Sequence, residues 1–193
     1  WNHCKPEGSN RRSLDLDEAI FDHMNLQFRN AFDMPLTLTV GRQDIILGTG
    51  WLVLDGTPAD GSRTIFFDAI RAQYQVSDAT KLDLIGIVQY DDEDKWLKPF
   101  NHGANEDRRH LTQLQDELGV IVYLTNKMTD MTSLDGYYIY KKGEASDWSK
   151  KYSTPGDDTE TNTFGGRLYG NLDENWSYSA ELAVQFGKHH ADG

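Results

Sequence analysis

Apolar and polar residues alternate through long stretches of this chain. Trp176, Tyr178, Ala180, Leu182, Val184 and Phe186 share one parity, and Ser177, Ser179, Glu181, Ala183 and Gln185 share the other. A period of two predicts a strand with one apolar face. The run before it sets Phe164, Gly166, Leu168, Gly170 and Leu172 against Thr163, Gly165, Arg167, Tyr169 and Asn171. Leu82, Leu84, Gly86, Val88 and Tyr90 continue the pattern beside Ile70, Ala72 and Tyr74, as do Leu118, Val120, Val122 and Leu124. Eight strand-like runs are predicted in all.

The connections between these runs alternate in length. Short ones fall at Asp33–Pro35, Ser77–Ala79, Lys127–Asp130 and Asp173–Asn175, and long ones at Gly48–Ser62, Asp91–Gln115 and Gly143–Glu160. A membrane β-barrel has this asymmetry, with tight periplasmic turns at one rim and long loops reaching into the outside medium at the other. The runs extend over about nine to fourteen residues, longer than usual globular strands and close to what a tilted membrane strand needs. Tyr74, Trp176 and Tyr178 fall beside short turns, and Tyr90, Tyr138 and Tyr140 toward long loops, which predicts two aromatic girdles. The fold class is therefore all-β: an antiparallel up-and-down meander of about eight strands, part of a larger transmembrane β-barrel. Periodicity alone leaves a soluble sandwich open, because an apolar face packs equally well on a second sheet. If long loops lie outside, the run ending at Met34 descends and the run starting at Trp176 climbs. Residues 1–193 then read as a single partial barrel domain, truncated at both ends, with strands missing on either side.

Composition restricts the partners. Hydrophobic residues make up only 38% of the 193 residues, and no apolar stretch approaches the roughly 20 residues of a helical span. A barrel tolerates this, since only alternate residues meet lipid. The formal net charge of −12 argues against nucleic acid. Much of the acid falls in predicted loops, at Asp91, Asp92, Glu93 and Asp94 and again at Glu144, Asp147, Asp157, Asp158 and Glu160, where solvated surface is the ordinary reading. Cys4 stands alone and forms no internal disulfide. His3, His23, His102, His110, His189 and His190 form no recognisable catalytic or metal spacing, and there is no Gly-x-Ser-x-Gly elbow. No enzyme activity, cofactor or metal is expected.

Two charges break the strand parity together. Arg42 shares parity with Leu36, Leu38 and Val40, and Asp68 with Phe66, Ile70 and Tyr74, so regular strands would aim both at lipid. They lie at similar heights on neighbouring strands. Bulges near Gly41 and near Phe66 or Phe67 would turn both inward and make them a pair. A rim position, with Arg42 reaching headgroups, is the other reading.

The same stretch carries a family resemblance. Val40-Gly41-Arg42-Gln43-Asp44-Ile45-Ile46-Leu47-Gly48, then Gly50-Trp51-Leu52-Val53-Leu54-Asp55-Gly56, then Ser62-Arg63-Thr64-Ile65-Phe66-Phe67-Asp68-Ala69-Ile70-Arg71 closely resembles the alginate export family of outer-membrane β-barrels. Glu18-Ala19-Ile20-Phe21 fits the preceding strand, so the motif covers residues from about Leu16 to Tyr74. The resemblance implies a monomeric pore of about eighteen strands in outer-membrane lipid, with an arginine-bearing lumen passing an anionic polysaccharide such as alginate. It carries over Arg42, Arg63, Asp68 and Arg71 as lumen or rim groups. Arg29 and Arg167 are added by parity. Guanidinium groups hold carboxylates in planar forks, and a spaced ladder lets a polymer move without one tight trap. Asp44, Asp83, Asp135 and Glu181 are further candidates for the inside, which argues against a simple anion pore. A general porin for small solutes and a soluble carbohydrate-binding sandwich with Trp51, Trp96 and Trp148 as stacking platforms are the alternative readings.

Overall fold

The computed structural model describes residues 3–6, 12–15, 21, 23–54, 66–90, 116–144 and 158–190. A short antiparallel hairpin, β1 (His3–Pro6) and β2 (Arg12–Asp15), forms a small sheet of its own, which the alternation did not predict. The remaining strands are β3 (Met24–Phe28), β4 (Leu36–Gln43), β5 (Phe67–Ser77), β6 (Thr80–Gln89), β7 (Asp116–Lys127), β8 (Thr132–Glu144), β9 (Asp158–Asn171) and β10 (Ser177–His190).

These last strands form one 8-stranded antiparallel sheet in strict chain order from β3 to β10. The expected meander is present, with tight connections at three of the four places where short ones were predicted; the connection expected at Asp33–Pro35 runs instead from Arg29 to Pro35 and contains a 3-10 turn at Ala31–Asp33. Tyr74 lies opposite Leu82, and the Leu172 amide donates to the Trp176 carbonyl at 2.8 Å. In that turn the Asp173 carboxylate accepts the Asn175 and Trp176 amides at 2.7 and 2.9 Å, closing an Asx turn. No pairing joins β3 to β10 among the described residues, so the sheet is open. Two strands are shorter than expected: β3 has 5 residues, and β4 has 8 and ends at Gln43 rather than continuing to Leu47.

The sheet's polarity is the reverse of a soluble protein's. Leu84, Val88, Leu118, Val120, Val122, Leu124, Phe164 and Leu168 are all exposed, and Leu182 is 74% exposed. On the opposite parity Asp83, Gln89, Asp135 and Thr163 are buried alongside Ile85, Ile121, Tyr123 and Tyr137. A sheet in water hides the first set and shows the second. Lipid as the outer solvent accounts for both at once.

Much of the inner face is covered by the chain itself. Beyond β4, residues 44–54 fold back across it: the Leu47 amide donates to the Val53 carbonyl at 3.1 Å, and the Gly50 amide to the Leu47 carbonyl at 2.9 Å. Ile45, Leu47 and Val53 pack into one cluster with Ile85 and Ile87 of β6, Ile121 and Tyr123 of β7, and Tyr137 of β8. Ile45 has no exposed surface. Each such side chain contributes roughly 1.5–3 kcal/mol when buried. The expectation that the Gly48–Ser62 connection projects outward therefore fails for its first part, because Val53, together with Ile45 and Leu47 just before the connection, finds partners inside that water does not offer.

Candidate functional site

The inner face carries a connected set of polar side chains because alternation sends every second residue of β5 to β10 there. On β7 to β10, the Tyr123 hydroxyl donates to Asp135 Oδ2 at 2.7 Å and the Tyr169 hydroxyl to Asp135 Oδ1 at 3.4 Å. Arg167 Nη1 stands 3.9 Å from Asp135 Oδ2, and its Nε donates to Ser179 Oγ at 3.0 Å. The guanidinium also lies over the Tyr169 ring, 4.1 Å from its centroid, a cation–π arrangement. Glu181 accepts the Tyr137 hydroxyl at 2.9 Å and, on its other oxygen, the Thr49 hydroxyl at 3.3 Å. Tyr123 and Tyr137 stack with centroids 5.6 Å apart and planes 2° from parallel. Tyr137 rests directly on Gly165, its register partner on β9, where any Cβ would overlap the ring.

The tip of the folded-back segment meets this network. Gly48 has a φ of +60°, and a Cβ there would stand 2.9 Å from the Tyr123 hydroxyl and 3.8 Å from Arg167 Nη1. Only glycine combines that backbone conformation with so close an approach. A second polar group sits toward β5 and β6. Arg71 Nε donates to Asp83 Oδ1 at 2.8 Å, and Lys81 Nζ lies 3.3 Å from Asp83 Oδ2.

Arg42 and Asp68 pair as expected, but not by the expected bulges. The β4–β5 register runs unbroken from Leu36 opposite Tyr74 to Gln43 opposite Phe67, and it sets Arg42 directly across from Asp68. Both keep the parity of the exposed Val40 and Ile70. Two parallel hydrogen bonds join them, Arg42 Nε to Asp68 Oδ1 at 2.9 Å and Arg42 Nη2 to Oδ2 at 3.0 Å. Nη1 donates to the Phe21 carbonyl at 2.9 Å, and the Phe66 ring covers the guanidinium at 3.7 Å. The side chain is 3% exposed, so a charge on the lipid parity is satisfied by carboxylate, carbonyl and ring. Beside it, Gln43 Nε2 donates to the Ala69 carbonyl at 3.1 Å, and Gln89 donates to the Phe66 carbonyl. Together these bonds tie the end of β4 and the end of β6 to the start of β5.

Of the other residues singled out in the sequence, Arg71 and Arg167 lie on the inner face, as do Asp83, Asp135 and Glu181. Arg29 is exposed in the turn after β3, where its Nε donates to Gln27 Oε1 at 3.0 Å. Asp44 pairs with His23 at 2.6 Å. Trp51 is exposed. Arg63, Trp96 and Trp148 lie outside the described residues. The sequence reading missed Thr49, Tyr123 and Tyr137. For the tyrosines a signal existed: each stands on the polar parity of its run.

An antiparallel meander with an apolar outer face, a hydrogen-bonded inner face and tight turns at one rim is consistent with part of a β-barrel wall. The chain belongs to the alginate export family, whose model matches residues 3–192. This is a family of outer-membrane export proteins rather than an enzyme class. No curated protein and no solved structure matches the chain.

Proposed function

We propose that this sheet is part of the wall of an outer-membrane pore that conducts an anionic polysaccharide such as alginate, with Arg71 and Arg167 lining the lumen. The reversed polarity of the sheet carries this reading, since an apolar outer face and a hydrogen-bonded inner face suit lipid on one side and aqueous cargo on the other. Arg63, carried by the family motif, joins them in the ladder, and Arg29 meets cargo at the short-turn rim. Arg42 is held by Asp68 as structural reinforcement. The pore acts as a monomer, and further strands pair with β3 and β10, because a sheet edge does not persist in lipid unpaired.

One observation favours a general porin for small solutes as the second reading: Asp83 and Asp135 accompany the inner-face arginines and reduce the net positive field that cargo meets. Planar-bilayer recordings separate the two. Changing Arg71→Glu together with Arg167→Glu is expected to lower anion preference and to weaken block by acidic oligosaccharides. Unchanged selectivity would reject the arginine ladder and leave the general porin. Absence of any conductance from correctly inserted protein would reject the pore.

A further inference from the structure

The folded-back segment bears on how wide the pore is. We infer that Asp44–Leu54 is a fixed constriction, latched across the inner face through Glu181, and that this latch sets the widest cargo the pore admits. The inference rests on the pore reading above.

Two independent features hold the segment down. Along its length, Ile45, Leu47 and Val53 are buried among Ile85, Ile87, Ile121, Tyr123 and Tyr137. Lifting the segment would present all three, and the strand residues beneath them, to an aqueous lumen. At its tip, Glu181 of β10 accepts a hydrogen bond from Thr49 on one oxygen and from Tyr137 on the other, at 3.3 and 2.9 Å. The carboxylate is thus oriented by the wall before the segment reaches it. Gly48 packs against the Tyr123 hydroxyl with no room for a side chain. A segment that leaves the sheet at β4 and bonds to β10 crosses the inner face of every strand between them. Its width is lost to the lumen. Glu181 acts as a positioning residue here, through Thr49, and need not touch cargo.

The test uses the protein reconstituted in planar bilayers. In a Cys4→Ser background, Thr49→Cys and Glu181→Cys are joined by a short bifunctional thiosulfonate. A fixed constriction predicts that the bridged protein conducts at the wild-type level. Loss of conductance on bridging, restored by reduction, would show a segment that must lift and would overturn the inference. In a second arm, Glu181→Ala and Leu47→Ser are each expected to raise single-channel conductance and to shift the exclusion limit to longer neutral oligosaccharides. An unchanged limit in the Glu181→Ala protein, inserted and heat-modifiable like the wild type, would equally overturn it. Wild-type conductance with these outcomes rejects the constriction alone, whereas a silent wild type rejects the pore.

Discussion

Individual side chains in this sheet are governed by which solvent lies behind them. The Arg42–Asp68 pair is closed off by the Phe66 ring and the Phe21 carbonyl, so removing one partner strands the other. Arg42→Ala is expected to destabilise by about 3 kcal/mol, the lower end of the range for a broken buried pair because Asp68 is only partly buried. Asp68→Ala in the same chain should recover part of that loss, as read by denaturant unfolding of the protein folded into lipid vesicles; equal destabilisation of single and double variants would argue against a charge effect. Gly165 poses a steric problem instead. A methyl group there meets the Tyr137 ring, and Gly165→Ala is expected to cost about 1–3 kcal/mol. The displaced ring should also lose its hydrogen bond to Glu181, so Gly165→Ala should resemble Glu181→Ala in its exclusion limit.

Strands and turns show how far local pattern reaches. The period of two runs through β5 to β10, and Asp or Asn falls in each short turn, so the meander was legible from sequence neighbours alone. The fate of residues 44–54 was not. Ile45, Ile46 and Leu47 read equally as the end of a strand or as a segment lying on other strands, and the choice depends on Ile85, Ile121 and Tyr137, which are far away in sequence. The same limit hid the Tyr123–Tyr137 stack. Arg42 and Asp68 were legible as a pair by counting heights on neighbouring strands, while their shielding was not, because Phe21 and Phe66 sit just before the first residues of β3 and β5 rather than within those strands. Alternation also makes opposite predictions for adjacent positions on β10. Leu182→Arg, on the outer face near mid-strand, is expected to destabilise by roughly 2–4 kcal/mol in lipid, whereas Gln185→Arg, on the inner face, should be close to neutral. Vesicle unfolding titrations compare them directly, and equal costs would contradict the two-sided assignment.

For the whole molecule, the proposed pore makes a prediction about location and behaviour in detergent. The protein should be recovered from outer membranes only with detergent, and its electrophoretic mobility should change on boiling; recovery in the aqueous fraction would instead support a soluble sandwich. Strict neighbour pairing from β3 to β10 has a different consequence. Every hairpin carries its own pairing partner within a short stretch of chain, and no strand is threaded between two distant ones. A hairpin can therefore be duplicated or lost without rewiring those that remain. Since barrel diameter grows roughly in proportion to strand number, lineages built on such a chain can widen or narrow their bore by whole hairpins while the rule for which side faces lipid stays the same.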